Sequence, residues 1–261
     1  MPAQLDFILK RMATMTERDP SLLEHEPWTG AAKGDPTFLV GAINKHYAGD
    51  DSELQVAAGG ILGAFAGYTV EDYEAASVAF LASAMHPTLG RPYTACVYRP
   101  MVELLQLLDA NGFRTYIVSG GGRDFMRAIP SDVYGVPRHR LVGSTSALEY
   151  REDDAGSAVV HAAKLSIIDD GPEKAVQIWS HVGARPVIAG GNSNGDAEML
   201  AFVDPSVASA LQMLIKHDDA DREFAYVTGA ERAFETADQR DWLVVSMKDD
   251  WNQVFADASE S

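Results

Sequence analysis

Three short stretches hold residues whose types and spacing suit phosphate chemistry. In TYIVSGGGRDF an apolar strand ends at Ser119 and runs into Gly120, Gly121 and Gly122. A hydroxyl beside glycine N–H groups, which a ligand can approach closely, suits phosphoryl oxygens. In VIAGGNSNGDAEML, residues 187 to 200, a buried strand gives way to a helix through a polar loop with Asn192, Ser193 and Asp196. A carboxylate beside a side-chain amide oxygen suits Mg2+, and a helix N-terminus suits an anion. Lys174 stands in the first turn of the helix GPEKAVQIWSHVG, where a cation opposes the helix dipole. A lysine set against its local preference has an anion to meet, and losing it is expected to relieve the helix start slightly. Each stretch alone has a plainer reading: a tight glycine turn, a helix cap at Asp196, a solvated surface lysine. Lys164, in strand-like sequence, is the competing lysine.

Other chemistries find little support. Ile117 stands where a nucleophile elbow around Ser119 needs glycine. GGNSNG, residues 190 to 195, has no Gly-x-Gly-x-x-Gly, and no Gly-Lys-Ser/Thr follows any glycine loop, which argues against dinucleotide and Walker-type sites. The seven histidines include no His-x-His or His-x-x-x-His pair, so structural or surface roles suit them better than zinc. DDG at 169 to 171 reads as a helix-start loop and DDW at 249 to 251 as a solvated end.

These stretches need elements to hold them. The chain begins with helical patterning: Leu5, Ile8, Leu9, Met12 and Met15 form one stripe, with Lys10, Arg11 and Glu17 off it. VGAINKHYAG, LQVAAGGILGAFAG and TVEDYEAASVAFLASAM continue in helices, the last capped by Thr69 with Glu71 and Asp72 in its first turn. HPTLGRPYT, dense in Pro and Gly, marks a boundary, placing one domain over 1 to 88 and another over 89 to 261. Beyond it strand and helix alternate. YRPMVELLQLLDANG and RDFMRAIPSDVYG read as helices, and HRLVGSTSALEYRED with SAVVHAAK as a hairpin turning near Asp153 to Gly156. RPVIAGG is a strand, DAEMLAFV a helix and DWLVVSM a late strand. Alternation of this kind predicts an α/β fold, a mostly parallel sheet with helices on both faces, with sites beyond the carboxyl ends of the strands.

Bulk properties narrow the partners. A chain of 261 residues with 46% hydrophobic content supports a real core. A net charge of −17 argues against nucleic acid and anionic membrane surfaces. It permits a small phosphorylated substrate, because a bound divalent cation can invert the local sign. A single cysteine, Cys96, cannot form an internal disulfide, which points to the cytoplasm. The start, MPAQLDFILKRM, carries Asp6 and does not read as a signal peptide. The longest apolar run, residues 56 to 68, is too short and glycine-rich to span a bilayer.

A strand-end Ser before glycines, a Lys at a helix start, then Gly-Asn-Ser-x-Gly-Asp together resemble the haloacid dehalogenase (HAD) superfamily, and within it the phosphoserine-phosphatase-like branch. GRPYTACVYRPMVELL, GFRTYIVSGGG and VVSMKDDW extend the resemblance over essentially the whole chain. It implies a Rossmann-like core with a helical cap, and a Mg2+-dependent phosphomonoester hydrolase working through an aspartyl-phosphate. It also implies that Ser119 and the N–H groups of Gly120 and Gly121 hold phosphoryl oxygens, that Lys174 neutralises charge there, and that Asp196 with Asn192 holds Mg2+. Many relatives carry an aspartate at the position of Asn192.

The chain departs from that family in one respect. The Asp-x-Asp-x-Thr that supplies the nucleophile at the end of the first core strand is not found; GDPTF, GDDSE and IDDGPE lack its spacing. The resemblance places that strand between the ones ending at Ser119 and before the Asp196 loop, so its loss would leave an apolar slot between unpaired ladders. A start assigned too far downstream accounts for this. Residues 1 to 261 are expected to lack phosphatase activity and to have poor solubility or a loosely packed core. The alternative is a non-catalytic phosphate-binding or regulatory protein.

Overall fold

The computed structural model describes residues 2–47, 49–154 and 156–256, and the chain divides into two units. The first comprises Met1–Tyr93, Asp124–Ile129 and Thr145–Ile167; the second comprises Thr94–Arg123, Pro130–Ser144 and Ile168–Ser261.

In the first unit the helical stripes close on one another. Helix α1 (Ala3–Arg18) buries Ile8, Leu9 and Met12, the middle of the stripe read from the sequence, and Phe7 beside them. Phe7 centres an aromatic cluster, stacking on Phe65 at 5.2 Å and meeting Tyr73 edge-on at 5.9 Å and Phe125 at 5.3 Å. The short α2 (Trp28–Ala32) and then α3 (Thr37–Tyr47), α4 (Leu54–Phe65) and α5 (Val70–Ser83) supply the rest. Thr69 caps α5, its hydroxyl accepting from Asp72 N at 3.0 Å, so the first-turn acids sit where the dipole favours them. In the second unit helix α6 (Arg99–Ala110) precedes strand β1 (Ile117–Gly122). RDFMRAIPSDVYG forms two single turns, α7 (Arg123–Met126) and α8 (Ser131–Tyr134), rather than one helix. Pro130 disfavours helical backbone at Ile129 and breaks the run.

Strand β2 (Leu141–Asp153) changes partners along its length. Its first residues pair parallel with β1, Ile117 with Leu141 through Ser119 with Gly143, and the register shifts before Gly122 meets Ser144. From Thr145 it pairs antiparallel with β3 (Gly156–Ile167), down to Asp153 opposite Gly156 at the turn. The hairpin belongs to the first unit, where Gly67 N donates to His161 O and His161 N to Tyr68 O, both at 2.8 Å.

The second unit is parallel α/β of the Rossmann-like kind. Helix α9 (Pro172–Val182) opens on a proline and closes on Gly183 at φ +70°, both placed by their conformational preference. Strands β4 (Ile188–Gly191), β5 (Leu211–Lys216) and β6 (Leu243–Ser246) form a second parallel sheet, with helices α10 (Ala197–Ala201), α11 (Glu231–Arg240) and α12 (Met247–Asp250) around it. Alternation along β5 explains the two-sided packing. Leu214 is buried with Leu200, Ala233 and Ala237, while Met213 and Ile215 face Met247, Trp251 and the α6 residues Met101 and Leu104. No described helix is long and apolar enough to cross a membrane.

Among the described residues the two sheets do not join. β1 is an edge of one and β4 an edge of the other. Residues 115–118 and 186–190 line a common cavity of about 600 Å3, whose further walls are the apolar side chains of Leu105, Val142, Ile178 and Met199.

Candidate functional site

One ammonium group joins β1 to the loop that follows β4. Lys174, projecting from the first turn of α9, donates to Asp196 Oδ1 at 2.6 Å and to the carbonyl of Val118, the second residue of β1, at 3.3 Å. The ion pair is buried, with 5% of the lysine side chain and 6% of the aspartate exposed. The anion that the helix start required is therefore inside the protein. The expectation that removing Lys174 relieves strain is corrected: its loss would strand a buried carboxylate, which outweighs the dipole effect of a few tenths of a kcal/mol.

Asp196 is also the organiser of its own loop. Its Oδ2 accepts from Asn192 N at 2.9 Å, Ser193 N at 3.0 Å and Ser193 Oγ at 2.9 Å, a reciprocal capping box around the turn that starts α10. The neighbouring loop is pressed against it. Gly171 N donates to Gly195 O at 3.0 Å, and a Cβ on Gly195 would overlap Asp170 Oδ1. Only glycine allows that approach. Asn194 serves the scaffold, its Oδ1 accepting from Ala233 N at 3.0 Å in the first turns of α11.

The serine–glycine stretch lies on the other side. β1 does not end at Ser119 as expected but runs on to Gly122 through a register shift, and there Ser119 Oγ accepts from Gly121 N at 3.1 Å, so the hydroxyl shapes the irregular stretch that carries it. Ser144 ties this stretch to the start of α9: its Oγ donates to Gly120 O at 2.8 Å and accepts from Asp169 N at 2.9 Å. The structure thus brings together Lys174, Asp196 and Val118, the residue before Ser119, with Gly120 facing the Asp169 carbonyl and the Asp170 side chain. Lys164 is exposed on β3 of the first unit.

Sequence reasoning missed Asp169. Its side chain is fully buried, and neither carboxylate oxygen has a hydrogen-bond partner among the described residues. Burial pushes its acid up to about 6, against the opposing pull of Lys174. Asp169 stands in the DDG stretch read as a helix-start loop, which it is; nothing in that spacing marks the first acid as the buried one.

For a hard cation, the donors suit in kind and fall short in number. Asp196 Oδ1 keeps acceptor capacity beyond Lys174, and Asn192 Oδ1 accepts from none of the described residues. No group of three His, Cys, Asp or Glu residues placed to hold a metal occurs among the described residues. Mg2+ usually takes one or two carboxylates with substrate phosphate and water, so this is part of a cation site.

No known family profile matches the chain, and no curated protein matches it in sequence. Solved structures do. A protein of unknown function from Bordetella pertussis Tohama I is similar with a TM-score of 0.55 at 14% identity, over 92% of this chain and 91% of that one. A conserved functionally unknown protein from Anaerococcus prevotii DSM 20548 gives 0.47 at 20% identity over 70% of this chain, which spans about half (51%) of that one. A phosphoserine phosphohydrolase-like protein from Francisella tularensis subsp. tularensis SCHU S4 gives 0.43 at 16% identity, over 88% and 91%. The Bordetella likeness is one of fold: mixed α/β, with parallel sheets flanked by helices.

Proposed function

We propose that this chain is a phosphomonoester hydrolase of the HAD lineage whose nucleophile-bearing strand is not among the described residues. The observation that carries the reading is the slot. β1 and β4 bound one apolar cavity, and Lys174 bonds to Val118 of β1 and to Asp196 in the loop that follows β4. Buried ladder groups left unpaired cost about 1–3 kcal/mol each, so a parallel strand belongs there. An aspartate at the end of that strand would lie near Lys174. Its attack on phosphorus would form an aspartyl-phosphate and break the ester P–O bond, releasing the alcohol; water would then cleave the acyl phosphate.

In this reading Ser119 and the N–H groups of Gly120 and Gly121 bind phosphoryl oxygens, and Lys174 neutralises charge between phosphate and carboxylates. Asp196 and Asn192 would hold Mg2+, which supplies further charge neutralisation when bound. The substrate class is a small phosphorylated metabolite. A second reading, a non-catalytic phosphate-binding protein, is favoured by how fully Asp196 is engaged by Lys174 and its own loop.

The test compares residues 1–261 with a form carrying an apolar strand and Asp-x-Asp-x-Thr ahead of them, on a panel of small phosphate esters with Mg2+. The extended form is expected to release phosphate and the shorter form none. No turnover by the extended form, with phosphate still bound, supports the second reading. Turnover by residues 1–261 alone would mean the nucleophile lies elsewhere.

A further inference from the structure

A buried polar network reaches Asn192 from the segment that follows β5. His217 follows the last residue of β5, and the next segment folds back so that Tyr226 N donates to His217 O at 3.0 Å. The two rings stack with centroids 4.3 Å apart. Glu223 turns inward from this segment; its side chain is 2% exposed and that of His217 3%. Glu223 Oε2 accepts from His217 Nδ1 at 3.1 Å, and Oε1 accepts from the Tyr98 hydroxyl. At the other ring nitrogen, His217 Nε2 meets Asn192 Nδ2 at 3.3 Å, and the same amide nitrogen donates to the Tyr226 hydroxyl at 3.4 Å.

The order of partners dictates the protons. An ionised carboxylate only accepts, so Glu223 requires the proton of a neutral imidazole on Nδ1. Nε2 then offers a lone pair and needs a donor opposite it. The Asn192 amide must therefore present its NH2 to His217, and Oδ1 is the end left without a donor from the described residues. An ionised glutamate is costly to bury unless paired, and apolar contacts alone would fasten this segment at less cost.

We propose that Glu223 and His217 are positioning residues for Asn192: they fix the imidazole tautomer and thereby hold the asparagine amide with its oxygen, not its nitrogen, available to the ligand of the Asp196 loop. The nature of that ligand rests on the function proposed above, where a hard cation such as Mg2+ takes the oxygen and an NH2 in its place would repel it. The tautomer does not rest on that reading.

Nitrogen-15 spectra of the imidazole in the whole protein are the direct test. His217 is expected protonated at Nδ1 only. In Glu223→Gln the Tyr98 hydroxyl keeps the glutamine carbonyl, so the glutamine NH2 faces Nδ1. The proton is then expected on Nε2, with Asn192 turned to point Oδ1 at the ring. Tyr226→Phe removes one acceptor but not the carboxylate, and is expected to leave the tautomer unchanged. With Mn2+ and inorganic phosphate together as the probe, because the loop supplies only part of a cation's ligands, paramagnetic broadening of the Asn192 amide is expected in the wild type, and affinity at least tenfold weaker in Glu223→Gln. An Nε2-protonated or doubly protonated His217 in the wild type overturns the proposal and needs no variant to fold. So does a Glu223→Gln protein that switches tautomer yet binds Mn2+ as the wild type does. Absence of any Mn2+ effect in the wild type overturns the cation reading of the loop, while the tautomer switch on its own upholds or overturns the positioning.

Discussion

Asp196 and Asp169 are two buried carboxylates that feel the same ammonium, and they are treated in opposite ways. Asp196 takes hydrogen bonds at both oxygens, from Lys174 and from three donors of its own loop. Asp169 is fully buried and takes none from the described residues. The first is a scaffold whose charge is matched by the groups it orders. The second is a cost the fold carries, and such costs concentrate where a protein has something other than stability to satisfy. Their difference separates what holds the site from what the site holds in reserve.

The comparison breaks most severely at the lysine. Lys174→Met leaves Asp196 buried without its cation, and chemical denaturation is expected to show a loss of about 3–5 kcal/mol. A variant as stable as the wild type would mean that the pair contributes nothing and that Asp196 is held by its loop alone. Asp169 should respond with the opposite sign. Its acid is raised by burial to about 6, so the folded state binds the proton more tightly than the unfolded chain. Stability from this group is complete below about pH 4, falls as pH rises, and is lost above about 6. Asp169→Asn is therefore expected to stabilise by about 3 kcal/mol at pH 8 and to be neutral near pH 4. A destabilised variant at pH 8 would show that the carboxylate has a partner. The smallest change sharpens the scaffold side: Ser193→Ala removes one of the donors to Asp196 and should cost about 1 kcal/mol by thermal unfolding.

Elements whose cause is local could be read in advance. The stripe through Ile8, Leu9 and Met12, the Thr69 cap, and Pro172 with Gly183 around α9 each act within a few residues, and each stands where periodicity or turn chemistry puts it. The hairpin turn at Asp153 and Gly156 is of the same kind. Lys174 was legible as a cation awaiting an anion, but the identity of the anion was not, because Asp196 is brought to it by packing across 22 residues of chain. Asp169 and its neighbour Asp170 have the same composition around them and differ only in which way the backbone turns. Glu223, His217 and Tyr98 form no spaced motif; 125 residues separate the tyrosine from the glutamate it meets. Burial and long-range pairing create these sites, and neither has a short-range signature.

The gap between β1 and β4 also bears on how the second unit comes apart. Cooperativity in a parallel sheet travels through its ladders, and here the ladder is interrupted. The β4–β5–β6 sheet has a core around Leu200 and Leu214 that Val118 of β1 only borders, so it can remain closed while the β1–β2 edge opens. Communication between the two edges then runs through the start of α9, by the Lys174 ammonium bonded to Val118 and Asp196 and by the Ser144 and Gly171 hydrogen bonds beside it. Hydrogen exchange would resolve such a unit into two foldons, and a strand seated in the gap would merge them into one.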